Sequence, residues 1–539
     1  MTRSETAHRR VPEAPSGEAS VLGALSTLPD LLRHHARVRP GRRAVVFSGV
    51  ERTYAELAED GDRLGRRLLE LGLRPGSRVG LLARNCGAYF ELLAACGAAR
   101  VVLTPVNWRL APDEIAFILK DAEIEVLFVS SDYLDIATRL MAELGLPDRL
   151  ILLDGSPPPP ALAYIDWCEA GETGTDARLP GAEPGDVLLQ IYSSGTTGTP
   201  KGVELTHGNM LAAAKQSLHG LVGCWSAEDR LLIPLPLFHA GALLTASYAL
   251  LVGATNIVLK DAEVEALIAA VEREKATKIG LVPALMQMIL EAPGFHRSRL
   301  ASLDTIIYGG SAISSDLLRR SLATFDAGLV QLFGASETFT AGTVLSPEDH
   351  LSPSRVLTCG RPMHGISVRV VRPDGSDADP DEPGEVLIRS DTVMKGYWRR
   401  PDQSAEALRD GWYHTGDIGS LDREGMLTIR DRLRDMIISG GENIYPLEIE
   451  NVLSEHVDVA DCAVIGLPDT RWGETVMAVV VPVAGKTPRA EDLIDHLRKR
   501  IAGYKCPRAI AFVDALPRNA SGKVLKRVLR ETYREATAR

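Results

Sequence analysis

Cysteine is scarce and unpaired. The 539 residues hold seven, at Cys86, Cys96, Cys168, Cys224, Cys359, Cys462 and Cys506. They are scattered and odd in number, without the close pairs of a zinc site or the framework of a disulfide-stapled domain. They read as reduced, mostly buried thiols of a cytoplasmic protein. A basic excess is also missing. Lys and Arg number 60 against 71 Asp and Glu, a net charge of −11, so neither nucleic acid nor an anionic membrane has overall electrostatic attraction. No stretch makes a convincing membrane span. The most apolar long run, Ala242 to Leu259, is broken by Thr245, Ser247, Thr255 and Asn256. The first twenty residues are charged and lack an apolar centre, which excludes a secretory signal. No repeat and no low-complexity tract occurs.

What is present is an ordinary globular composition, 45% hydrophobic and 24% charged. The length suits roughly three or four domain-sized units. Residues 1–22, rich in Arg, Glu, Pro and Ser, read as a disordered tail. Thr53 and Glu56 form a capping box before a helix with Leu57, Leu64, Leu68 and Leu71 on one face. Strand and helix patterns then alternate: Arg78 to Arg84, Ala88 to Ala98, Val101 to Leu103, Val126 to Val129. That spacing predicts parallel pairing. The alternation resumes from Arg230 to Tyr308. Ser367 to Arg389 carries strands and turn signals with little helix, as in a small β-barrel. A second unit begins near Asp431. The prediction is an α/β protein with a large body, two layered α/β sheets plus the small barrel, and a small mobile α+β C-terminal domain.

One stretch dominates the chemistry. Val187-Leu188-Leu189-Gln190-Ile191 reads as a buried strand. It runs into Tyr192-Ser193-Ser194-Gly195-Thr196-Thr197-Gly198-Thr199-Pro200-Lys201-Gly202. Those eleven residues hold two serines, three threonines, three glycines and a lysine. Glycines let backbone N–H groups turn inward, hydroxyls add donors and the lysine adds charge, a combination suited to polyphosphate. Thr206 is a candidate N-cap for a following helix. The spacing is not that of the common P-loop, because Pro200 stands where its second glycine belongs.

This stretch resembles the signature loop of the adenylate-forming superfamily, which includes acyl-CoA synthetases, aryl-CoA ligases, adenylation domains and luciferases. The likeness covers nearly the whole chain after the tail. It implies an N-terminal AMP-binding domain over 23–430, a hinge at 431–435 and a mobile C-terminal domain over 436–539. It implies that Ser193, Ser194, Gly195, Thr196, Thr197, Gly198 and Lys201 hold the ATP phosphates, with Thr196 also beside Mg²⁺. Gln331-Leu332-Phe333-Gly334-Ala335-Ser336-Glu337 resembles the motif in which an aromatic packs on adenine. Phe333 then takes that place with Gly334, Ser336 contacts the α-phosphate, and Glu337 holds Mg²⁺. Phe for the usual Tyr and Ser for the usual Thr are departures. Gly310 and Ser311 match the adenine-side loop. Asp417, by itself an ordinary turn residue, matches the acid that accepts both ribose hydroxyls. Arg432 matches the arginine on ribose or phosphate, and Arg434 the hinge pivot. Lys523, by itself a surface charge, matches the catalytic lysine. Gly441 and Trp472 match the pantetheine tunnel.

The resemblance further implies chemistry that joins two anions, so positive charge, metal and positioning matter more than a protein nucleophile. Pro236-Leu237-Phe238-His239 matches the mouth of the acyl site. Amino-acid-activating relatives carry an Asp nearby, whereas Ala240, Gly241, Ala242 and Leu243 follow here. The substrate expected is an apolar carboxylic acid, fatty, aryl or alicyclic, met by His239, Gly310 and Ala335. The expected reaction forms acyl-AMP from ATP and passes the acyl group to coenzyme A. Transfer to a carrier protein or another nucleophile is the alternative. A homodimer is compatible with the sequence.

Overall fold

The computed structural model describes residues 16–147, 149–155, 161–169, 178–193, 200–432, 435–439, 442–469, 472–518 and 524–537. Two large sheets form the body. In the nine-stranded sheet the six strands Gly328–Phe333, Thr305–Gly309, Lys278–Leu281, Arg230–Ile233, Thr255–Val258 and Arg43–Phe47 run parallel, neighbour to neighbour in that order. Antiparallel strands flank both ends. The eight-stranded sheet carries Arg78–Leu82 between Val102–Pro105 and Ile124–Val129, all parallel. On its other side come the antiparallel pair Val187–Ser193 and Lys201–Thr206 and the short edge strand Gly396–Tyr397.

Local sequence explains these elements. Thr53 and Glu56 do form a capping box, with the Thr53 N–H donating to Glu56 Oε2 at 2.7 Å. The helix Tyr54–Glu70 buries Leu57, Leu64 and Leu68. Gly61 lets it approach the apolar helix Ala88–Ala99 closely, since an added Cβ would lie 2.9 Å from Ala94 Cβ. A helix that is apolar on all sides belongs inside a core, and Ala88–Ala99 is buried over most of its length. The run Ala242 to Leu259 divides into the helix Ala240–Val252 and the strand Thr255–Val258, both buried. Among the described residues, no helix is long and apolar enough to cross a membrane.

One expectation needs correction. Of the tail 1–22, residues 1–15 lie outside the described residues, but Ser16–Ala24 is a helix. Leu22 buries there, and Glu18 pairs with Arg39. One apolar contact and one ion pair outweigh the polar composition that suggested disorder. The barrel-like unit is a four-stranded antiparallel sheet of Ser367–Val371, Gly384–Arg389, Tyr413–Leu421 and Leu427–Arg432. Its outer strands are not paired with each other among the described residues. All seven cysteines are free thiols.

The smaller unit has its own sheet, centred on Val459–Asp469 and Gly473–Pro482, with the helices Pro446–Ser454, Ala490–Arg498 and Lys526–Thr537. Leu453, Val464, Val480 and Leu493 build its core.

Buried histidines make the body acid-sensitive. His207 accepts the Leu28 N–H on Nδ1 at 3.2 Å, and His35 donates from Nε2 to the Leu251 carbonyl at 3.0 Å. Burial pushes both imidazoles down to about 4. The unfolded chain therefore takes up protons below about pH 6.5 that the folded chain refuses. The stabilisation is complete above that pH and is lost as pH falls toward 4. By pH 5 each histidine costs on the order of 2 kcal/mol. The thermal midpoint should fall steeply between pH 7 and pH 5, and His207→Asn should flatten that slope. A midpoint independent of pH over this range contradicts the assignment.

Candidate active site

Open α/β sheets bind ligands beyond the carboxyl ends of their parallel strands. Three expected segments of this chain lie there. Pro236–His239 follows the strand Arg230–Ile233, Gly310–Ala312 follows Thr305–Gly309, and Gly334–Thr338 follows Gly328–Phe333. Gly310, Ser311 and Ala312 are exposed, while Phe333, Gly334, Ala335, Ser336 and Glu337 are half-buried. The last segment is folded tightly on itself. A Cβ on Gly334 would stand 2.5 Å from the Thr340 carbonyl carbon, so only glycine fits. Phe339 and Thr340 both adopt positive φ, at 48° and 58°. That conformation is costly for bulky residues. Complete burial of Phe339 and the Thr340 N–H bond to the Ala335 carbonyl hold it.

The described ends of the phosphate stretch lie on two paired antiparallel strands. Ser193 pairs with Lys201, and Tyr192 with Gly202. Ser194, Gly195, Thr196, Thr197 and Gly198 lie outside the described residues. A strand, not a helix, follows the stretch. The helix His207–Ala214 starts only after Lys201–Thr206, capped by Thr206 as expected. The strand pair is anchored, since Tyr192 donates to Asp121 Oδ2 at 2.7 Å and Arg400 donates to Asp121 Oδ1 at 2.6 Å.

Asp417 and Arg432 face each other across neighbouring strands of the four-stranded sheet. Arg432 Nε lies 2.7 Å from Asp417 Oδ1. The Asp417 side chain is 6% exposed and that of Arg432 30%. Thr415 Oγ1 receives the Asp417 N–H at 3.0 Å and holds the turn. Tyr413 ties this pair to the Glu337 segment. Burial is the main cause raising its hydroxyl pKa, and Glu337, Tyr397, Arg432 and Asp417 all act on it. The expected ribose residues and the expected metal carboxylate thus share one neighbourhood.

Glu337 Oε1 accepts the Tyr397 hydroxyl at 2.9 Å. No group of three or more His, Cys, Asp or Glu side chains among the described residues is placed to hold a metal ion. Magnesium carried on nucleotide phosphates needs only one or two carboxylates, and Glu337 fits that requirement. His239 sits just before the helix Ala240–Val252, its ring 4.4 Å from that of Phe238. Its Nε2 is buried without a hydrogen-bond partner among the described residues. Burial, then Arg109, pushes its pKa down to about 4. A neutral ring suits lining a passage better than donating a proton.

The hinge expectation falls on Arg434, outside the described residues, but its flanks are clear. Asp431 accepts the Leu447 N–H at 3.0 Å, across the hinge. Lys526 pairs with Glu450 at 2.8 Å, and Arg530 with Asp435 at 2.7 Å. Burial pulls the Lys526 ammonium down, but Glu450 and Asp431 outweigh it and the net shift is upward. Gly441 and Lys523 also lie outside the described residues. Trp472 is half-buried, with the Arg508 guanidinium 4.7 Å above its ring. The sequence reading missed Tyr397 and the bond from the Leu447 N–H to Asp431, a residue it had placed at the hinge. Neither has a periodic or spacing signal, and only tertiary pairing reveals them.

A family model described as AMP-binding enzyme matches residues 32–398, and one described as AMP-binding enzyme C-terminal domain matches 448–523. A feruloyl-CoA synthase of an Amycolatopsis species is 39% identical over 503 residues, covering 92% of this chain and 97% of its own. A fatty acid–[acyl-carrier-protein] ligase of Streptomyces coeruleorubidus is 36% identical over 520 residues, covering 96% and 98%. The structure of o-succinylbenzoate coenzyme A synthetase from Bacillus subtilis, in complex with ATP and magnesium ion, is similar with a TM-score of 0.80. It is 29% identical and covers 92% of this chain and 98% of its own.

Proposed function

The chain belongs to the AMP-binding enzyme family, and from that premise we propose that it is an ATP-dependent acid–CoA ligase for an apolar carboxylic acid. The observation that carries the substrate class is the helix Ala240–Val252 behind His239. It contains no acidic residue, so nothing on it would pair with a substrate ammonium. An added Cβ on Gly241 would meet no atom within 4 Å, which leaves room for an acyl group.

The acid enters past Phe238 and His239 and lies along Gly310 and Ala335. Ser193, Ser194, Gly195, Thr196, Thr197, Gly198 and Lys201 grip the β- and γ-phosphates. Phe333 supports adenine, Asp417 accepts the ribose hydroxyls and Arg432 steadies Asp417. Glu337 would hold magnesium, which neutralises phosphate charge as the carboxylate approaches. Lys523 contacts the carboxylate and α-phosphate oxygens, and Ser336 the α-phosphate. Pyrophosphate leaves, the C-terminal unit rotates about Arg434, and the coenzyme A thiolate displaces AMP along a tunnel bordered by Gly441 and Trp472.

A panel of fatty, aryl and alicyclic acids, assayed for pyrophosphate release with and without coenzyme A, tests this. An apolar acid should give acyl-AMP alone and thioester when the thiol is added. Release with no acid in the panel contradicts the reading. A second reading transfers the acyl group to a carrier protein. It is favoured by the likeness to the Streptomyces coeruleorubidus ligase over 96% of this chain. Thioester formation on a phosphopantetheinylated carrier but not on coenzyme A would select it. Ala335→Trp should shorten the longest acid accepted. An unaltered substrate profile moves the pocket elsewhere.

A further inference from the structure

Tyr397 touches the metal-side and the phosphate-side groups at once. Its hydroxyl donates to Glu337 Oε1 at 2.9 Å. Its ring lies under the Lys201 ammonium, 4.8 Å from Nζ to centroid. The first contact is a hydrogen bond to a carboxylate, the stronger kind. The second is within range for attraction between a cation and an aromatic face.

The backbone fixes this placement. Gly396–Tyr397 adds a short antiparallel strand to Lys201–Thr206, with Tyr397 opposite Val203. Trp398 donates to the Gly202 carbonyl at 2.8 Å and Lys395 to the Glu204 carbonyl at 2.9 Å. The Tyr397 N–H is taken by Ser404 Oγ at 2.8 Å. Met394 donates to the backbone carbonyl of Glu337 at 2.7 Å. One segment, 394–398, thus grips the strand that carries Lys201 and the turn that carries Glu337.

We propose that Tyr397 is a positioning residue of the adenylation centre, holding the Glu337 carboxylate toward a phosphate-borne divalent cation and seating the Lys201 ammonium for pyrophosphate. This rests on the adenylation reading above. The two halves of the side chain have separate tasks: the hydroxyl serves the carboxylate and the ring serves the ammonium.

Tyr397→Phe and Tyr397→Leu in the full chain separate them. The readouts are Mn²⁺ binding to the complex with a non-hydrolysable ATP analogue, followed by electron paramagnetic resonance, and the KM for pyrophosphate in ATP–pyrophosphate exchange. The Phe variant should bind Mn²⁺ about tenfold more weakly, the size of one lost net hydrogen bond, with its pyrophosphate KM within about twofold of the parent. The Leu variant should add a rise of about fivefold in that KM, the size of a lost cation–ring contact. Unchanged Mn²⁺ affinity in the Phe variant overturns the proposal. So does a pyrophosphate KM equal in the two variants, or a lower melting temperature with both affinities intact. Should the Leu variant not fold, the Phe variant, which keeps the ring, still decides the hydroxyl's role. If the parent protein exchanges no pyrophosphate with any acid, the adenylation reading fails, while the Mn²⁺ measurement still reads Tyr397.

Discussion

Replacing Lys523 with alanine should slow carboxylate-dependent pyrophosphate release by about 10²–10³, the effect of removing one donor aimed at developing charge. The same variant should still convert preformed acyl-AMP to thioester at close to the parent rate. The two halves separate because charge accumulates on the pentavalent phosphorus only in the first. Lys523 stands three residues before the helix Lys526–Thr537. That helix is fastened by Lys526 to Glu450 and by Arg530 to Asp435. Single-turnover assays of the two half-reactions check the separation, and equal loss in both contradicts the role.

Asp417→Asn should raise the KM for ATP roughly 10²-fold, with kcat falling less than about threefold. Two hydrogen bonds to a charged acceptor are at stake, each worth about 1.5–3 kcal/mol. Ribose is remote from the reacting atoms, so its binding is nearly equal in ground and transition states and appears in KM. Stability should change little. The variant leaves Arg432 without its carboxylate partner at 2.7 Å, but that guanidinium is 30% exposed and water can replace the contact. Initial rates over an ATP series test the split. An unchanged KM removes Asp417 from the nucleotide site.

Much of this was legible because the signals are local. Thr53 and Glu56 announce a cap that two hydrogen bonds realise. The apolar runs from Arg230 to Tyr308 are strands buried on both faces, and alternation with helices forces their parallel pairing. Glu337 and Asp417 were singled out by their motif company, and Tyr413 connects their surroundings. The misses are tertiary. Tyr397 lies 60 residues beyond Glu337 and nearly 200 beyond Lys201, and no periodicity links positions so distant. Asp431 looks like one acid in an alternating charge run. Its partner Leu447 N–H is a backbone donor at a helix start, available only after Pro446–Ser454 docks. The barrel-like unit was legible from strand density, but whether its outer strands meet is a tertiary matter that composition does not encode.

The strand setting of the phosphate stretch has a mechanical meaning. A loop that opens a helix cannot shift without fraying the helix it begins. Here Lys201 is a ladder residue paired with Ser193, and the helix His207–Ala214 starts only after Thr206. Ladder bonds rather than a helix start therefore set where the Lys201 ammonium is carried. Substitutions that fray the first turn of that helix should lower the melting temperature while leaving Lys201 in register.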